Sequence, residues 1–82
     1  MYYIIRYQSS RNFIFATMFK FEPMLDSVVT VNGTAGTVYQ IDKAYTLKHA
    51  VAELMKAKEF CRELNTKLST KLFNLGMPSY VS

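Results

Sequence analysis

The chain has 82 residues, of which half are apolar and 15% are aromatic, and its formal net charge is +4. This length predicts one domain, over residues 1–82, because globular domains usually have about 100–150 residues. The single cysteine excludes an internal disulfide, and no apolar run approaches the ~20 residues that cross a bilayer. Together these features favour a cytoplasmic protein that has no membrane partner.

The first third of the chain has the period-two alternation that is typical of β-strands. Residues 2–8 form the first predicted strand and residues 13–22 the second, with a polar turn between them. Four phenylalanines share one face of the second strand: Phe13, Phe15, Phe19 and Phe21. We expect this ladder to be core, packed beneath a helix; the alternative is an exposed platform on which bases of single-stranded nucleic acid stack. Tyrosines, which have a polar tip, are better surface candidates, and these are Tyr2, Tyr7, Tyr39 and Tyr45.

A hairpin follows the loop that Pro23 begins. Its strands are predicted at 28–32 and 37–42, and the Asn-Gly pair at 32–33 is a strong turn signal. Small residues then favour a four-residue connection over 33–36. We therefore expect a four-stranded, mainly antiparallel sheet within residues 1–45, with its strands ordered roughly as they follow along the chain.

A long helix is predicted over 46–75, with Thr46 as its N-cap. Its apolar stripe repeats every seven residues and runs through Leu47, Ala50, Leu54, Ala57, Cys61, Leu64 and Leu68. Poor helix formers at 65–70 leave open a break into two helices, and a glycine and a proline then end the helix before a tail at 76–82. The predicted fold is α+β, with the element order ββββα and the helix packed on one face of the sheet.

The predicted helix is too long for the sheet that it covers. An unbroken helix of this span measures about 45 Å at ~1.5 Å per residue, whereas ordinary strands reach only ~17–20 Å. The C-terminal half of the helix therefore needs another partner, and we expect a homodimer in which that half forms the interface. The expected interface residues, for the dimer or for another protein partner, are Phe60, Leu64, Leu68, Leu72, Phe73 and Leu75.

Positive charge is concentrated in the helical part of the chain. Residues 46–82 carry six basic and three acidic side chains, and residues 1–45 carry four basic and three acidic ones. Such a helix can bind phosphates. The alternative is a solvated face of salt bridges, in which Glu53 pairs with Lys56 and Glu63 with Lys67. The candidate nucleic-acid-binding residues are Arg11, Lys56, Arg62, Lys67 and Lys71.

The sequence has no constellation that is typical of an enzyme. Cys61 lies on the apolar stripe and His49 on another flank of the helix, so the two cannot act as nucleophile and base. One histidine and one cysteine fall short of the three protein ligands that a metal site needs. The glycines of the hairpin lack the lysine and the following helix of a phosphate-binding loop. We therefore predict a non-enzymatic protein without catalytic residues, metal, cofactor or small-molecule substrate.

Two segments carry a resemblance, YYIIRY at the start of the chain and AYTLKHAVAEL at the start of the helix. With several strands before one C-terminal helix, the chain resembles the small accessory proteins of large tailed phages, among them host-takeover and counter-defence factors. The resemblance covers the general organisation of the whole chain and carries over no functional residue. It implies a compact, antitoxin-like inhibitor in the host cytoplasm that binds a host nuclease, a toxin or a nucleic-acid complex.

These features together predict a small basic binding protein that inhibits or modulates a nucleic-acid-processing target, with RNA or DNA as a further component of the complex. Two alternatives stay open. One is a plain nucleic-acid-binding module without a protein target. The other is a structural homodimer whose positive charge is incidental.

Overall fold

A computed structural model describes residues 1–76 of the chain. Within these residues four strands, β1 (Tyr2–Gln8), β2 (Ile14–Phe19), β3 (Val28–Val31) and β4 (Thr34–Ala44), precede one helix, α1 (Leu47–Asn74). Every strand pair in this sheet is antiparallel. The predicted ββββα arrangement is confirmed, whereas the predicted tail, apart from its first residue, lies outside the described residues.

The strand order in the sheet is β2-β1-β4-β3, so the prediction of an order that follows the chain is wrong. β4 is 11 residues long, and this length lets it pair with β1 along one side and with β3 along the other. β2 and β3 are therefore the two edges. The chain crosses between these edges over residues 20–27, and Asp26 joins the ladder at the end of the crossing by donating to the Val38 carbonyl at 2.8 Å.

The turn between β3 and β4 is shorter than predicted. Val31 pairs with Thr34, so only the Asn-Gly pair at 32–33 forms the turn. Both of its residues have positive φ, 52° and 80°, as this type of two-residue hairpin turn requires. Gly36, which was expected in the turn, lies within β4 instead. A Cβ at this position would lie 2.6 Å from the Tyr7 ring, so glycine here permits close packing of β4 on β1.

The two faces of the sheet have separate cores. The core on the helix side consists of Ile4, Ile14, Ala16, Ala44, Ala50, Ala57 and Cys61. On the opposite face the sheet curls over its own side chains, and the buried residues there are Ile5, Tyr7 and Val38. The register between β1 and β4 shifts after Arg6, and such a bulge bends and twists a strand. The irregularity therefore contributes to the curl of the sheet.

The phenylalanines of β2 face away from the helix, so the predicted position of the ladder beneath the helix is wrong. Its first member, Phe13, is fully buried, as expected of a core residue. Phe15 and Phe19 pack against the core of the curled face, whereas Ile14 and Ala16 face the helix. Phe21 lies beyond the end of β2 and is 65% exposed. Small side chains on the helix side allow the helix backbone to approach the strand more closely than a row of rings would.

The helix is continuous from Leu47 to Asn74, so the predicted alternative of a break near 65–70 is wrong. Its N-cap is Thr46, as predicted, with the hydroxyl oxygen accepting a hydrogen bond from the His49 N–H at 3.1 Å. Two threonines in the doubtful region donate side-chain hydrogen bonds to carbonyls one turn earlier. These bonds satisfy the hydroxyl groups without interrupting the helix.

The helix reaches past the sheet. Its 28 residues span ~42 Å, which is close to the longest dimension of a molecule measuring 44 × 23 × 18 Å. The seven residues of β1 span only about 24 Å. Among the described residues, no helix is long and apolar enough to cross a membrane.

Candidate nucleic-acid groove

One side chain of the helix is bound to the beginning of β2. The side-chain oxygen of Asn65 accepts a hydrogen bond from the Ile14 N–H at 2.8 Å, and the side-chain nitrogen donates to the Ile14 carbonyl at 2.7 Å. Both backbone groups of Ile14 therefore point out of the sheet, away from β1. A primary amide offers one acceptor and a donor close together, so Asn65 takes the place of a residue in a further strand.

A groove of about 840 Å³ lies beside this contact. β2 contributes four consecutive residues to it, one flank of α1 forms a wall, and the tip of the β3–β4 hairpin lies opposite. This tip belongs to the edge of the sheet opposite β2, so the groove is lined from both edges. The lining residues are Tyr7, Ile14, Phe15, Ala16, Thr17, Val31, Asn32, Thr34, Lys58, Cys61, Arg62, Asn65, Thr66, Ser69, Thr70 and Phe73.

Both charged residues of the groove are basic. Lys58 and Arg62 lie one helical turn apart, which places their Cβ atoms about 6 Å from each other, and residues 1–76 contribute no carboxylate to the lining. Hydroxyl and amide groups accompany the two cations, on Thr17, Asn32, Thr34, Asn65, Thr66, Ser69 and Thr70. Arginine, lysine, hydroxyl and amide side chains are the groups that contact phosphate and sugar oxygens in nucleic-acid complexes.

Three aromatic rings line the groove, those of Tyr7, Phe15 and Phe73. Tyr7 is buried and stacks on Phe15, with ring centroids 5.6 Å apart. The prediction that Tyr7 is a surface residue is therefore wrong, because its ring belongs to the core of the curled face. Phe73, on the helix, is 77% exposed. An exposed ring offers a face on which a nucleobase can stack.

The structure separates the predicted nucleic-acid-binding residues. Of Arg11, Lys56, Arg62, Lys67 and Lys71, only Arg62 lines the groove. The three lysines lie about 120–180° around the helix from Arg62, at 3.6 residues per turn, and Arg11 lies in the turn between β1 and β2. Lys58, the second cation of the groove, was missed. Its spacing of four residues from Arg62 was the available signal.

The lysine flank of the helix contains one of the two salt bridges of the alternative, Glu53 with Lys56. The ion pairs within residues 1–76 do not include the other, Glu63 with Lys67. The Glu53 carboxylate lies 3.7 Å from the Lys56 ammonium and 3.6 Å from the His49 imidazole. One acid therefore offsets part of the positive charge on this flank. The groove has two cations, and residues 1–76 contribute no carboxylate to its lining. It is therefore the stronger candidate for a phosphate site.

The predicted interface residues fall into one stripe and two separate positions. Four leucines continue the apolar stripe of the helix, Leu64, Leu68, Leu72 and Leu75. The first and last of them are exposed. Phe60 instead lies against Arg6, whose guanidinium carbon is 4.9 Å from the ring centroid, and Phe73 lines the groove.

The cysteine of the helix, Cys61, is buried in the core beneath the sheet. Burial raises the pKa of the Cys61 thiol, and the Arg6 guanidinium offsets part of this increase. The protonated thiol is a poor nucleophile. Burial also raises the pKa of Tyr39, which interacts with the same arginine. Residues 1–76 contain no group of three or more His, Cys, Asp or Glu residues that could hold a metal ion.

No protein-family model, curated protein or solved structure matches this chain. What the groove binds is therefore inferred from its own chemistry.

Proposed function

We propose that this is a non-enzymatic binding protein that modulates a nucleic-acid-processing system in the cytoplasm, and that its groove binds single-stranded nucleic acid. The observation that carries the proposal is the pair Lys58 and Arg62, one turn apart on the wall of a groove to which residues 1–76 contribute no carboxylate. Two cations at this spacing can contact neighbouring phosphates of one strand. Other polar side chains of the lining add contacts to the sugar–phosphate backbone, namely those of Thr17, Asn32, Thr34 and Ser69. The Asn65 amide and the Thr66 and Thr70 hydroxyls are already engaged within the protein.

A single strand suits this groove better than a duplex does. A duplex keeps its bases stacked inside and presents a convex surface, which a recess of about 840 Å³ does not accommodate. A single strand has unstacked bases that can lie on an aromatic ring. Phe73 at the helix end and the half-buried Phe15 on β2 supply such rings.

A second candidate function is inhibition of a protein target, such as a nuclease or a toxin. The leucine stripe at the end of the helix favours it, because Leu64 and Leu75 are exposed and exposed apolar patches mark protein contacts. The resemblance of the chain to phage accessory proteins favours the same role. Both candidates are compatible in one complex, with nucleic acid in the groove and a protein at the helix end.

The first test is the binding of fluorescein-labelled 20-nucleotide single strands, oligo(U) and oligo(dT), compared with a duplex of the same length. The variant Lys58→Glu/Arg62→Glu reverses both charges of the groove. Its matched control is Lys67→Glu/Lys71→Glu, which makes the same change in net charge on the other flank. We expect the groove variant to weaken single-strand binding by about tenfold or more and the control to weaken it far less.

Salt dependence provides a second readout of the same experiment. Two phosphate contacts to a single strand predict a loss of about sevenfold in affinity between 50 and 200 mM salt, from a slope of about −0.7 per contact. The groove variant should lose most of this slope. Equal weakening by the two charge reversals, or no binding by the wild type, would show that the groove is not a nucleic-acid site, and the protein-target candidate would replace it.

A further inference from the structure

We propose that the outer edge of β3 is a self-association surface, at which the β3 strands of two copies pair antiparallel and join their sheets. This inference does not depend on the groove or on what the groove binds. It depends on the backbone of β3, on the absence of charge along this edge, and on the contrast with β2.

The hairpin turn determines which backbone groups of β3 point outward. In a two-residue turn the flanking residues, Val31 and Thr34, form the hydrogen-bonded pair that closes it. Bonded and non-bonded pairs alternate along an antiparallel ladder, so Val29 and Val31 bond to β4. Val28 and Thr30 therefore point their N–H and C=O groups away from the sheet. Within residues 1–76 no hydrogen bond reaches these outward groups.

The side chains around this edge do not oppose pairing. Residues 27–36 contain no charged residue and no proline, although charge, proline, bulges or a covering element are the usual protections of an edge strand. Val28 is 70% exposed at this edge. β2, by contrast, lies under α1 and has Asn65 bound to its outward groups at Ile14. Among the described residues, β3 thus has no bond to its outward groups anywhere along the strand, whereas β2 is bound to the helix at its first residue.

A two-fold axis at the centre of β3 gives a register that uses every outward group. Val28 then pairs with the partner's Thr30, Thr30 with the partner's Val28, and Val29 faces the partner's Val29. Each of the two bonded pairs makes two backbone hydrogen bonds. The register also places Asp26 opposite the partner's Asn32, so like charges do not meet although each copy carries +4.

The contact is small, because β3 has four residues. It belongs to the low end of specific interfaces, below about 1,200 Å² in total, and we expect a weak, reversible dimer. Met24 and Leu25, which are exposed just before the strand, add apolar area beside it. The experiment must therefore capture a weak association.

Disulfide trapping tests the register directly. In a non-bonded antiparallel pair the facing Cα atoms lie about 4.5 Å apart, within the range that a disulfide spans. Val29→Cys should therefore form a cross-linked dimer under mild oxidation, as seen by non-reducing electrophoresis. Val31→Cys is the matched control, since it lies on the same face of the same strand but about 13 Å from its symmetry mate in this register. The wild type, with only the buried Cys61, controls for the native thiol.

Charge substitution tests the same register without a covalent bond. In Val28→Lys/Thr30→Lys, lysines face each other twice across the axis, and we expect the dimer to be lost in sedimentation equilibrium. In Val28→Lys/Thr30→Glu each lysine faces a glutamate, and we expect the dimer to persist. Efficient cross-linking through Val31→Cys, or a dimer that tolerates the double lysine, would overturn the proposal and favour the C-terminal half of the helix as the interface. So would a monomer at every concentration with no trapping through Val29→Cys.

Discussion

The two edge strands of the sheet, β2 and β3, differ in what contacts their outer edges. Both strands are short, and neither carries a charged residue. β2 lies under the helix, and Asn65 binds the outward backbone groups of its first residue. β3 has no such cover among residues 1–76. The strand order explains the contrast, because β2 and β3 stand at opposite ends of the sheet and one helix cannot cover both. The start of β2 is thus committed to an internal contact, whereas the outer edge of β3 has none among these residues.

Substitution by lysine should give the largest change in unfolding free energy, and this change should differ most between the two edges. Ala16 lies beneath the helix and is 9% exposed, so Ala16→Lys buries a charge among apolar groups and should lower the free energy of unfolding by about 3 kcal/mol or more. Thr30→Lys places its charge in solvent and should change that free energy by less than about 0.5 kcal/mol. Urea denaturation of dilute protein measures both. Similar effects at the two positions would mean that the helix does not cover β2.

Removing the amide that binds β2 should have the next largest effect. Asn65→Ala leaves the N–H and C=O of Ile14 without their partner, which should cost about 1–3 kcal/mol of unfolding free energy. Helix propensity alone predicts the opposite sign, because alanine is a better helix former than asparagine. Asn74→Ala, at the exposed end of the same helix, is the matched control.

Hydrogen exchange locates the effect of that substitution. The Ile14 amide should lose protection in Asn65→Ala, whereas amides of β1 that bond within the sheet should keep theirs until global unfolding. An Ile14 amide with unchanged protection would show that the Asn65 contact does not hold the strand edge.

Local patterns in the sequence predicted the local parts of the fold. Alternation predicted β1 with its boundaries, and the seven-residue stripe predicted the helix with Thr46 as its cap. The strand order was missed because it depends on the pairing of β1 with β4, strands that are distant in sequence. The two faces of β2 were separated by alternation, but which face lies beneath the helix depends on packing. The small residues Ala16, Ala50 and Ala57 were the signal for it.

The candidate groove was predicted only in part, for a similar reason. The i,i+4 spacing of Lys58 and Arg62 is visible in the sequence, and Arg62 was among the predicted residues. The opposite wall comes from the tip of the β3–β4 hairpin, and its position depends on the curl of the sheet. Asn65 was counted among the poor helix formers at 65–70, near which a break was left open, whereas its contact with β2 explains why it is tolerated within the helix.

The smallest expected effect is a pH dependence of the unfolding free energy that arises at the β2 edge and not at the β3 edge. Cys61 lies in the core between the helix and β2, and burial raises its pKa in the folded protein. Because the folded state holds the proton more tightly, this contribution to stability is fully present below the unfolded thiol pKa of about 8.5 and is lost as pH rises through the folded value. Tyr39, whose pKa is also raised by burial, adds a later loss, above its ordinary pKa of about 10.

Urea unfolding between pH 7 and about 12 should therefore show a decline in unfolding free energy, beginning near the ordinary thiol pKa. Cys61→Ala should reduce its earlier part and Tyr39→Phe its later part, above about pH 10. Cys61→Ala itself should be less stable at pH 7 by about 1 kcal/mol, because a buried sulfur is lost. Pairing at β3 should not follow this decline at pH values where the protein stays folded, since residues 27–36 contain no titratable side chain. The cross-linking yield of Val29→Cys is divided by that of Val31→Cys, which corrects for the change in thiol reactivity with pH. If this ratio fell together with the unfolding free energy, the two edges would be coupled. The division between an internal edge and an external one would then be wrong.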